Sequence, residues 1–454
     1  MLKAIYLLAA LITLGCQSKS SVDYVLFSGQ IENPAGSELK IENSNFSQTI
    51  PIREDGSFSD TLRIAEGYYT FRHRERTALY IKPGDDIHMT INIEAFDETA
   101  AYSGQGGANC NFLSQKYMIE ETLIGDYEVF FAQNEDAILS QLESMEIAKI
   151  GLMESMDDLS EEFKSNERKG IYYEKLVLLN RYKETHARFS KLDEYVPSQK
   201  IMEPLSGINY DNLNDYKKFG AYRNLVNGFY INYQLITQNP ETVLSTLDEI
   251  SKLESDQIKN DLLGTISRFG MSPSFVKMDE VYASIMKIST DEALKKEVTL
   301  TYEKLKNLVA GKPAPKFTYQ DTEGNSVGLE NLLGKTIYID VWATWCGPCI
   351  REIPALKKLE EDYAVRNIHF LSVSIDRQED YDKWKKMILE KELGGMQLFA
   401  DLDWQSSIIK DYGIKGIPRF MLIDADGNII NVDAPRPSSE EIRRVLDELA
   451  SISS

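Results

Sequence analysis

The chain has 454 residues, of which 43% are hydrophobic and 27% are charged. This is the composition of soluble globular protein, at a length that suggests about two to four domains. The 50 Lys and Arg against 71 Asp and Glu give a formal net charge of −21, which argues against nucleic-acid binding, because phosphate contacts need clustered basic side chains. The 4 cysteines are far too few for a scaffold held together by disulfides.

The first residues, MLKAIYLLAALITLGC, are predicted to be a signal peptide covering residues 1–16. Lys3 supplies a positive start, and the apolar run after it is too short to span a bilayer, which takes about 20 residues. The ending LITLGC is similar to the lipobox of bacterial lipoproteins, although Thr13 stands where those proteins usually have Leu. The resemblance implies that Cys16 is lipidated and anchors the protein to a membrane. The alternative is a plain secretory signal with a chance cysteine.

Either form of the signal exports the rest of the chain to the cell envelope. The residues QSKSS that follow Cys16 lack the acidic run that sends some Bacteroidetes lipoproteins to the cell surface. We therefore expect a membrane-anchored lipoprotein on the periplasmic side, where disulfides can persist.

Residues 22–107 are predicted to form an all-β, sandwich-like domain with antiparallel strands, the alternative being a small barrel. Turn clusters recur at intervals of roughly ten residues, which is typical of such folds; they are EDGSF (54–58), AEGYY (65–69) and KPGDD (82–86). Apolar residues alternate with polar ones over 87–93, as in a half-buried strand. The patterns DGSF and YIKPGD resemble the N-terminal β domain found ahead of thioredoxin-like domains in Bacteroidetes envelope proteins.

Residues 108–308 carry a helical pattern and are predicted to form a central α-helical region. Apolar residues fall on one helical stripe at Ile138, Leu142, Met145 and Leu152. We find no repeat of fixed period, which argues against a helical solenoid. Nothing in this region indicates a chemical reaction.

Residues 309–454 alternate between strand and helix patterns, which predicts an α/β domain. The run KTIYIDVWA (335–343) is almost continuously apolar, as a central strand covered on both faces is. GIPRFMLIDADGNIIN (416–431) is predicted to be a hairpin. The last helix is predicted to open at Ser438 with a capping box that pairs it with Glu441.

Cys346 and Cys349 lie between the strand 335–343 and the start of a predicted helix. Pro348 suits the first helical turn, where its missing N–H costs nothing. The unpaired N–H groups and the macrodipole of a helix N-terminus favour negative charge, so this position lowers the pKa of the Cys346 thiol and makes it more reactive. Cys349 is one turn further on the same helix face, within disulfide reach. We expect Cys346 to be exposed and Cys349 to be more covered.

The segment VWATWCGPC followed by IREIP resembles the thioredoxin superfamily, and most closely its TlpA/ResA-type envelope thiol–disulfide oxidoreductases. GKPAPKF, GIP and LIDADGNII appear in the same order as in that family, and the resemblance covers about a third of the chain. It implies a thioredoxin fold in which Cys346 attacks a disulfide and Cys349 resolves the mixed disulfide. Pro418 matches the loop proline whose preceding peptide bond is cis, and the strand start there is suited to holding a substrate backbone.

The same resemblance implies an enzyme without a cofactor. Its expected partners are substrate proteins with disulfides and a membrane-linked thiol protein that donates electrons. Because Gly347 and Pro348 match the dipeptide of reducing thioredoxins, we expect a reductase. The substrate protein and the donor stay unassigned.

Two carboxylates complete the predicted site. Asp340 stands in the middle of an apolar strand, where a charged carboxylate is expensive to bury, so we expect its pKa to rise. It matches the buried acid of cytoplasmic thioredoxins, and Glu352 matches a Glu of the envelope branch. Our hypothesis is that either or both act as a general base toward Cys349. The alternative for each is an ordinary surface or capped carboxylate.

Three other functions agree less well with the sequence than a disulfide reductase does. A zinc site needs about four ligands, but the other cysteines are Cys16 and Cys110, and the histidines are scattered over the sequence at His73, His88, His186 and His369. A thiol peroxidase would need a proline as well as Thr344 upstream of its cysteine. A binding or scaffold lipoprotein with an accessory redox domain is the remaining alternative. Cys110 is expected to be a free, inert thiol.

Overall fold

The computed structural model describes residues 22–43, 45–232, 236–237 and 239–452. The predicted signal peptide and Cys16 therefore lie outside the described residues. The chain divides into two compact units, one of residues up to 209 with 214–225 and one of residues 210–213 with 226 onward. None of the described helices has the length and apolar character needed to cross a membrane. The predicted domain limits at residues 107 and 308 stay predictions.

The first unit begins with a β sandwich. Within residues 22–105 as described, its strands form two four-stranded sheets in the orders β4–β1–β7–β8 and β3–β2–β5–β6. These strands are β1 (Val25–Glu32), β2 (Glu38–Asn43), β3 (Phe46–Pro51), β4 (Ser57–Leu62), β5 (Gly67–His73), β6 (Glu75–Ile81), β7 (Asp86–Asn92) and β8 (Ala101–Gln105). Phe27 and Phe58 of one sheet share a buried core with Phe71 of the other, which confirms the sandwich-like prediction.

The prediction that all the strands are antiparallel is wrong for one pair. β1 and β7 run parallel, with Leu26 beside Asp86 and Glu32 beside Asn92. Antiparallel neighbours are easily joined by a short hairpin, whereas parallel neighbours need a longer connection. Here the intervening strands supply that connection, and turn spacing alone carries no information about it.

Helices follow the sandwich in the first unit, and the predicted stripe is buried at three of its four positions, whereas Leu152 is only partly buried and the neighbouring Met153 is buried instead. In α4, Ile138, Leu142 and Met145 are buried, while the Asn134 side chain caps the helix start by accepting from the Ala137 N–H. The helices are α1 (Phe96–Thr99), α2 (Gly107–Ile124), α3 (Tyr127–Ala132), α4 (Glu135–Glu154), α5 (Glu161–Phe189) and α6 (Gln199–Ser206). The next two helices, α7 (Leu213–Lys218) and α8 (Gly220–Tyr230), each include residues of both units.

The second unit combines four helices that precede residue 309, among those described, with the predicted α/β domain. The helices are α9 (Pro240–Ser251), α10 (Asp256–Phe269), α11 (Met278–Ile288) and α12 (Glu292–Leu305). The strands after them are β9 (Thr318–Asp321), β10 (Ser326–Gly328), β11 (Thr336–Trp342), β12 (Ile368–Ser374), β13 (Met396–Phe399), β14 (Arg419–Ile423) and β15 (Ile429–Asn431). The later helices are α13 (Gly347–Tyr363), α14 (Tyr381–Lys391), α15 (Ser407–Asp411) and α16 (Glu440–Ile452).

The strands of this α/β domain form one sheet in the order β10–β9–β13–β12–β11–β14–β15. β11 lies inside the sheet, parallel to β12 and antiparallel to β14, and every one of its residues is buried. This confirms the central strand that its apolar run predicts. The chain passes from the carboxyl end of β11 directly to Cys346 and α13, which fixes the cysteines at that edge of the sheet.

The capping box predicted at Ser438 is wrong, because α16 begins at Glu440. The Ser439 hydroxyl, not that of Ser438, accepts from the Glu441 N–H at 3.2 Å. Ser438 instead donates its hydroxyl to Glu352 Oε1 at 3.0 Å. Ser438, which the local sequence predicts to be the helix cap, is thus hydrogen-bonded to a residue far away in the chain.

Candidate active site

A disulfide between Cys346 and Cys349 forms the start of α13. The two Cα atoms are 5.2 Å apart, and the Cys349 N–H donates to Cys346 Sγ at 3.2 Å. Pro348 occupies the first helical turn. Cys346 is therefore the N-cap residue, with its sulfur facing the unpaired N–H groups of the helix. This is the environment that stabilises a thiolate after reduction.

The expectation that Cys346 is exposed is wrong for this disulfide form. Cys346 and Cys349 are both 4% exposed, because in a disulfide each sulfur covers the other against the first turn of the helix. The exposed surface beside them is aromatic instead. Trp345 is 49% exposed and lies 6.3 Å from Trp404, measured between ring centroids.

Asp340 is buried in β11 below the disulfide. The residue is 8% exposed, and its Oδ1 atom has no hydrogen-bond partner among the described residues. Burial, followed by the negative charges of Glu352 and Glu360, raises the pKa of Asp340 to about 8. The carboxyl group is therefore mostly protonated at pH 7, as the cost of burying its charge predicts.

Asp340 and Cys349 line the same small cavity, together with Ser372 and Glu360. The cavity measures about 10 Å³, close to the least space that holds one water molecule. Burial raises the pKa of Glu360 to about 7. Two carboxyl groups that titrate near neutrality therefore face the space behind Cys349.

Sequence reasoning missed Glu360. A signal was available, because Glu352, Leu356 and Glu360 follow one another at single-turn spacing along α13 and so share a helix face. Leu356 and Glu360 both line the cavity. This single-turn spacing predicts that Glu360 lies on the side of α13 that faces Asp340.

Glu352 has the contacts of a capped carboxylate. It is 9% exposed, and it accepts from the N–H of Ser438 at 3.1 Å and from the Ser438 hydroxyl at 3.0 Å. Arg436 lies 3.7 Å from Oε1. Glu352 is not among the residues that line the cavity shared by Asp340 and Cys349. Its negative charge contributes to the raised pKa of Asp340.

Pro418 lies at the start of β14, and the Ile417–Pro418 peptide bond is cis, as the family resemblance implies. The pairing register between β14 and β11 fixes the position of Pro418 relative to the cysteines. Arg419 is aligned with Val341 and Phe420 with Asp340, so Pro418 lies beside the carboxyl end of β11. The structure thus brings Cys346, Cys349, Asp340 and Pro418 to one edge of the sheet.

Asp376 is a second residue that sequence reasoning missed. It is fully buried just after β12 and accepts from the backbone N–H of Thr344 at 2.9 Å and from the Thr344 hydroxyl at 2.8 Å. Asp376 thereby holds the turn that leads from β11 to Cys346. These contacts engage Thr344, the residue that a peroxidase would need near its cysteine. The available signal was an acid directly after an apolar strand.

Cys110 lies apart from this site, in the core of the first unit. It is a free thiol with no exposed surface, and burial raises its pKa to about 12. A thiol with so high a pKa is a poor nucleophile.

In the part of the chain that the structure describes, no group of three or more His, Cys, Asp and Glu side chains is placed to hold a metal ion.

Comparison with known proteins places the α/β domain in one family. Residues 309–448 match the Redoxin family. The chain is 28% identical over 148 residues to the thiol-disulfide oxidoreductase ResA of Bacillus cereus, covering 33% of this chain and 83% of that protein. It is 30% identical over 140 residues to ResA of Halalkalibacterium halodurans, covering 30% of this chain and 76% of that protein.

A solved structure is also similar to this domain. It is a Bacteroides vulgatus protein assigned as a thiol-disulfide oxidoreductase, 41% identical, with 32% of this chain and 98% of that chain covered and a TM-score of 0.29. The family assignment rests on the sequence matches to the two ResA proteins and to Redoxin. By those matches, the chain belongs to the thioredoxin superfamily and is a TlpA/ResA-type thiol–disulfide oxidoreductase.

Proposed function

We propose that this oxidoreductase reduces disulfides of other proteins in the cell envelope through Cys346 and Cys349. The observation that carries the proposal is the grouping of three features at one edge of the sheet: the disulfide at a helix N-terminus, buried Asp340, and the cis peptide bond before Pro418. The dipeptide Gly347–Pro348 supports the reducing direction.

The reaction starts from the dithiol form. The Cys346 thiolate attacks one sulfur of a substrate disulfide, forms a mixed disulfide and releases the first substrate thiolate, which takes up a proton. The Cys349 thiolate then attacks Cys346 Sγ, restores the Cys346–Cys349 disulfide and releases the second substrate thiolate. Two electrons have moved to the substrate, and a thiol protein of the envelope must return two electrons and two protons to the pair.

Asp340 is the group we assign to the proton of Cys349. Cys349 has to lose its proton before it can attack, and Asp340 lines the same cavity. With a pKa of about 8, Asp340 has an ionised fraction of about one tenth at pH 7 that accepts this proton and passes it on afterwards. Glu352 acts indirectly, since its charge helps to raise the pKa of Asp340 and its carboxylate anchors Ser438.

Pro418 is proposed to position the substrate. The loop before β14 lies beside the carboxyl end of β11, where an extended substrate segment can lie along it near Cys346. The exposed rings of Trp345 and Trp404 add an apolar surface for the same segment. These contacts would hold the substrate disulfide in line with the attacking sulfur.

The envelope placement is proposed from the N-terminal sequence. The apolar run that ends in LITLGC supports cleavage before Cys16 and lipidation of that residue. A lipid anchor would keep the protein at a membrane, within reach of a membrane-linked thiol donor on the periplasmic side. The anchored form is part of the proposal and has no role in the exchange chemistry itself.

Reduction of insulin by the full chain with dithiothreitol as electron source tests the function. We expect precipitation of the insulin B chain to accelerate, and the Cys346–Cys349 pair to have a reduction potential of about −200 to −300 mV, the range of reducing thioredoxin-like proteins. A potential near about −120 mV, typical of a strong periplasmic oxidant, would reverse the proposed direction. Absence of insulin reduction would favour a binding or scaffold protein.

A further inference from the structure

A second cavity of the same unit lies beside the loop that carries Pro418. It measures about 190 Å³, and its lining includes three basic side chains, Arg268, Lys415 and Arg419. We call it the cationic pocket. Lys415 and Gly416 form its wall on the side of Pro418, and Arg268 closes it from the last turn of α10. It is distinct from the small cavity behind Cys349.

The charges of the cationic pocket are only partly balanced. Arg419 forms an ion pair with Asp433, and the Ser272 hydroxyl also donates to Asp433. Arg268 and Lys415, by contrast, keep solvent-exposed surface and form no ion pair with any residue that the structure describes. Burial and the positive charges of Lys304 and Arg268 lower the pKa of Lys415, opposed by Glu297.

An excess of positive charge at this position is notable because the whole chain carries a formal net charge of −21. A local cationic site on an acidic protein selects for a specific negative group, since the surrounding field repels acidic molecules elsewhere. Mutual repulsion between Lys415 and Arg268 is relieved when an anion lies between them. An acidic group between them would therefore be attracted by both charges.

The cationic pocket lies next to the strand pairing that leads to the reacting sulfurs. Arg419 directly follows Pro418 and is aligned with Val341 of β11, the strand that leads into the turn before Cys346. One loop therefore forms the wall of the cationic pocket and also contributes the proline beside the disulfide. A substrate segment that lies along this loop would pass beside both the pocket and Pro418.

The size of the pocket restricts the ligand. Sites for drug-sized molecules and cofactors usually measure about 300–1,000 Å³, and the cationic pocket is smaller. Its volume suits a single side chain, and its basic groups suit a carboxylate. We propose that the cationic pocket binds an Asp or Glu side chain of the substrate protein, close in sequence to the disulfide that Cys346 attacks. This inference rests on the proposed reductase function.

The test uses pairs of disulfide-bonded peptides that differ only by Glu or Gln, placed one to four residues from the cysteine, and the full-length reduced protein. We expect kcat/KM to be higher for the Glu peptide by about two- to fivefold at one or more positions, the size of an exposed ion pair. Because salt screens such pairs, the ratio should approach one at about 0.5 M NaCl.

Two single variants test whether the preference for Glu peptides arises in the cationic pocket. Lys415→Gln and Arg268→Gln should each lower the Glu-to-Gln ratio of kcat/KM toward one. Lys383→Gln is the matched control, because it removes the same charge from an exposed lysine of α14 that does not line the pocket. This control should leave the ratio unchanged. Since the ratio compares two substrates on one variant, a partial loss of folded protein does not alter it.

Three results would overturn the inference. One is a ratio of one at low salt for the wild-type protein, and another is an equal loss for both peptides in Lys415→Gln. The third is a preference that phosphate removes but chloride of the same ionic strength does not, which would assign the pocket to a free anion. In all three the protein still reduces peptides, so the proposed function survives. A protein that reduces neither peptide contradicts the proposed function and this inference together.

Discussion

Replacing Cys346 by Ser is expected to lower the rate of disulfide reduction by the full chain at least about 1,000-fold. A thiolate is the nucleophile of thiol–disulfide exchange, and a serine hydroxyl is not appreciably ionised at pH 7. The measurement is insulin or peptide-disulfide reduction under matched conditions. Cys110→Ser is the control, since this buried thiol lies in the other unit and should leave kcat/KM within about twofold of wild type.

Cys349→Ser separates the roles of the two cysteines. With the resolving thiol removed, Cys346 still attacks, and the substrate stays attached as a mixed disulfide that a reductant releases on a non-reducing gel. Mass spectrometry of the trapped species should place the bond on Cys346. If Cys346→Ser trapped substrate on Cys349 instead, the assigned order of attack and resolution would be wrong.

Asp340→Asn is expected to slow release of the substrate from the mixed disulfide by about 100-fold at pH 7, the usual size of a lost general base. In the wild type the release rate should rise with pH, be half-maximal near pH 8 and level off above it, following the pKa of Asp340. In the variant the rise should move to higher pH, toward the pKa of the Cys349 thiol itself. Single-turnover quenching of the mixed disulfide measures both rates.

The pH dependence of stability is a second readout of the same variant. Asp340 has a pKa of about 8 when folded, against 3.8 as its ordinary value, so the folded state binds more protons between these values. Stability of the wild type is therefore lost as pH rises through this window. Asp340→Asn removes the loss, and its stability relative to wild type should increase by on the order of 3 kcal/mol from pH 5 to pH 8.

Thermal unfolding midpoints of the two proteins at pH 5, 7 and 8 measure this difference. Glu379→Gln is the control, because Glu379 is an exposed carboxylate, with 74% of its side-chain surface accessible. Its midpoint should follow that of the wild type at every pH. Parallel curves for Asp340→Asn and wild type would show that Asp340 ionises as an ordinary carboxylate, and would remove the reason for assigning it the proton of Cys349.

The local part of this site could be predicted from sequence because its determinants are adjacent in the chain. An apolar run without breaks predicts that β11 is buried, and the acid within it then has a raised pKa for the cost of burial alone. Pro348 and Gly347 mark the start of α13 in the same way. These adjacent residues are enough to predict the places of Asp340, Cys346 and Cys349 in the site.

The remaining features depend on contacts between distant residues. Ser438 reads as a helix cap, yet its N–H and hydroxyl both donate to Glu352, which is 86 residues away. The burial of Cys346 depends on its disulfide bond, and the parallel pairing of β1 with β7 depends on the path of the intervening strands. Arg268 and Lys415 meet only through the fold, so the cationic pocket has no local sequence signal.

The central claim is that the N-terminus of α13 keeps the Cys346 thiol ionised. The direct test is the pH dependence of its alkylation by iodoacetamide in the reduced full chain, with Cys349→Ser in place so that one reactive thiol remains in the pair. Burial keeps the pKa of Cys110 at about 12, so that thiol stays unreacted. We expect an alkylation midpoint at or below about pH 7, and a midpoint at the free-cysteine value of about 8.5 would contradict an ionised Cys346 thiol.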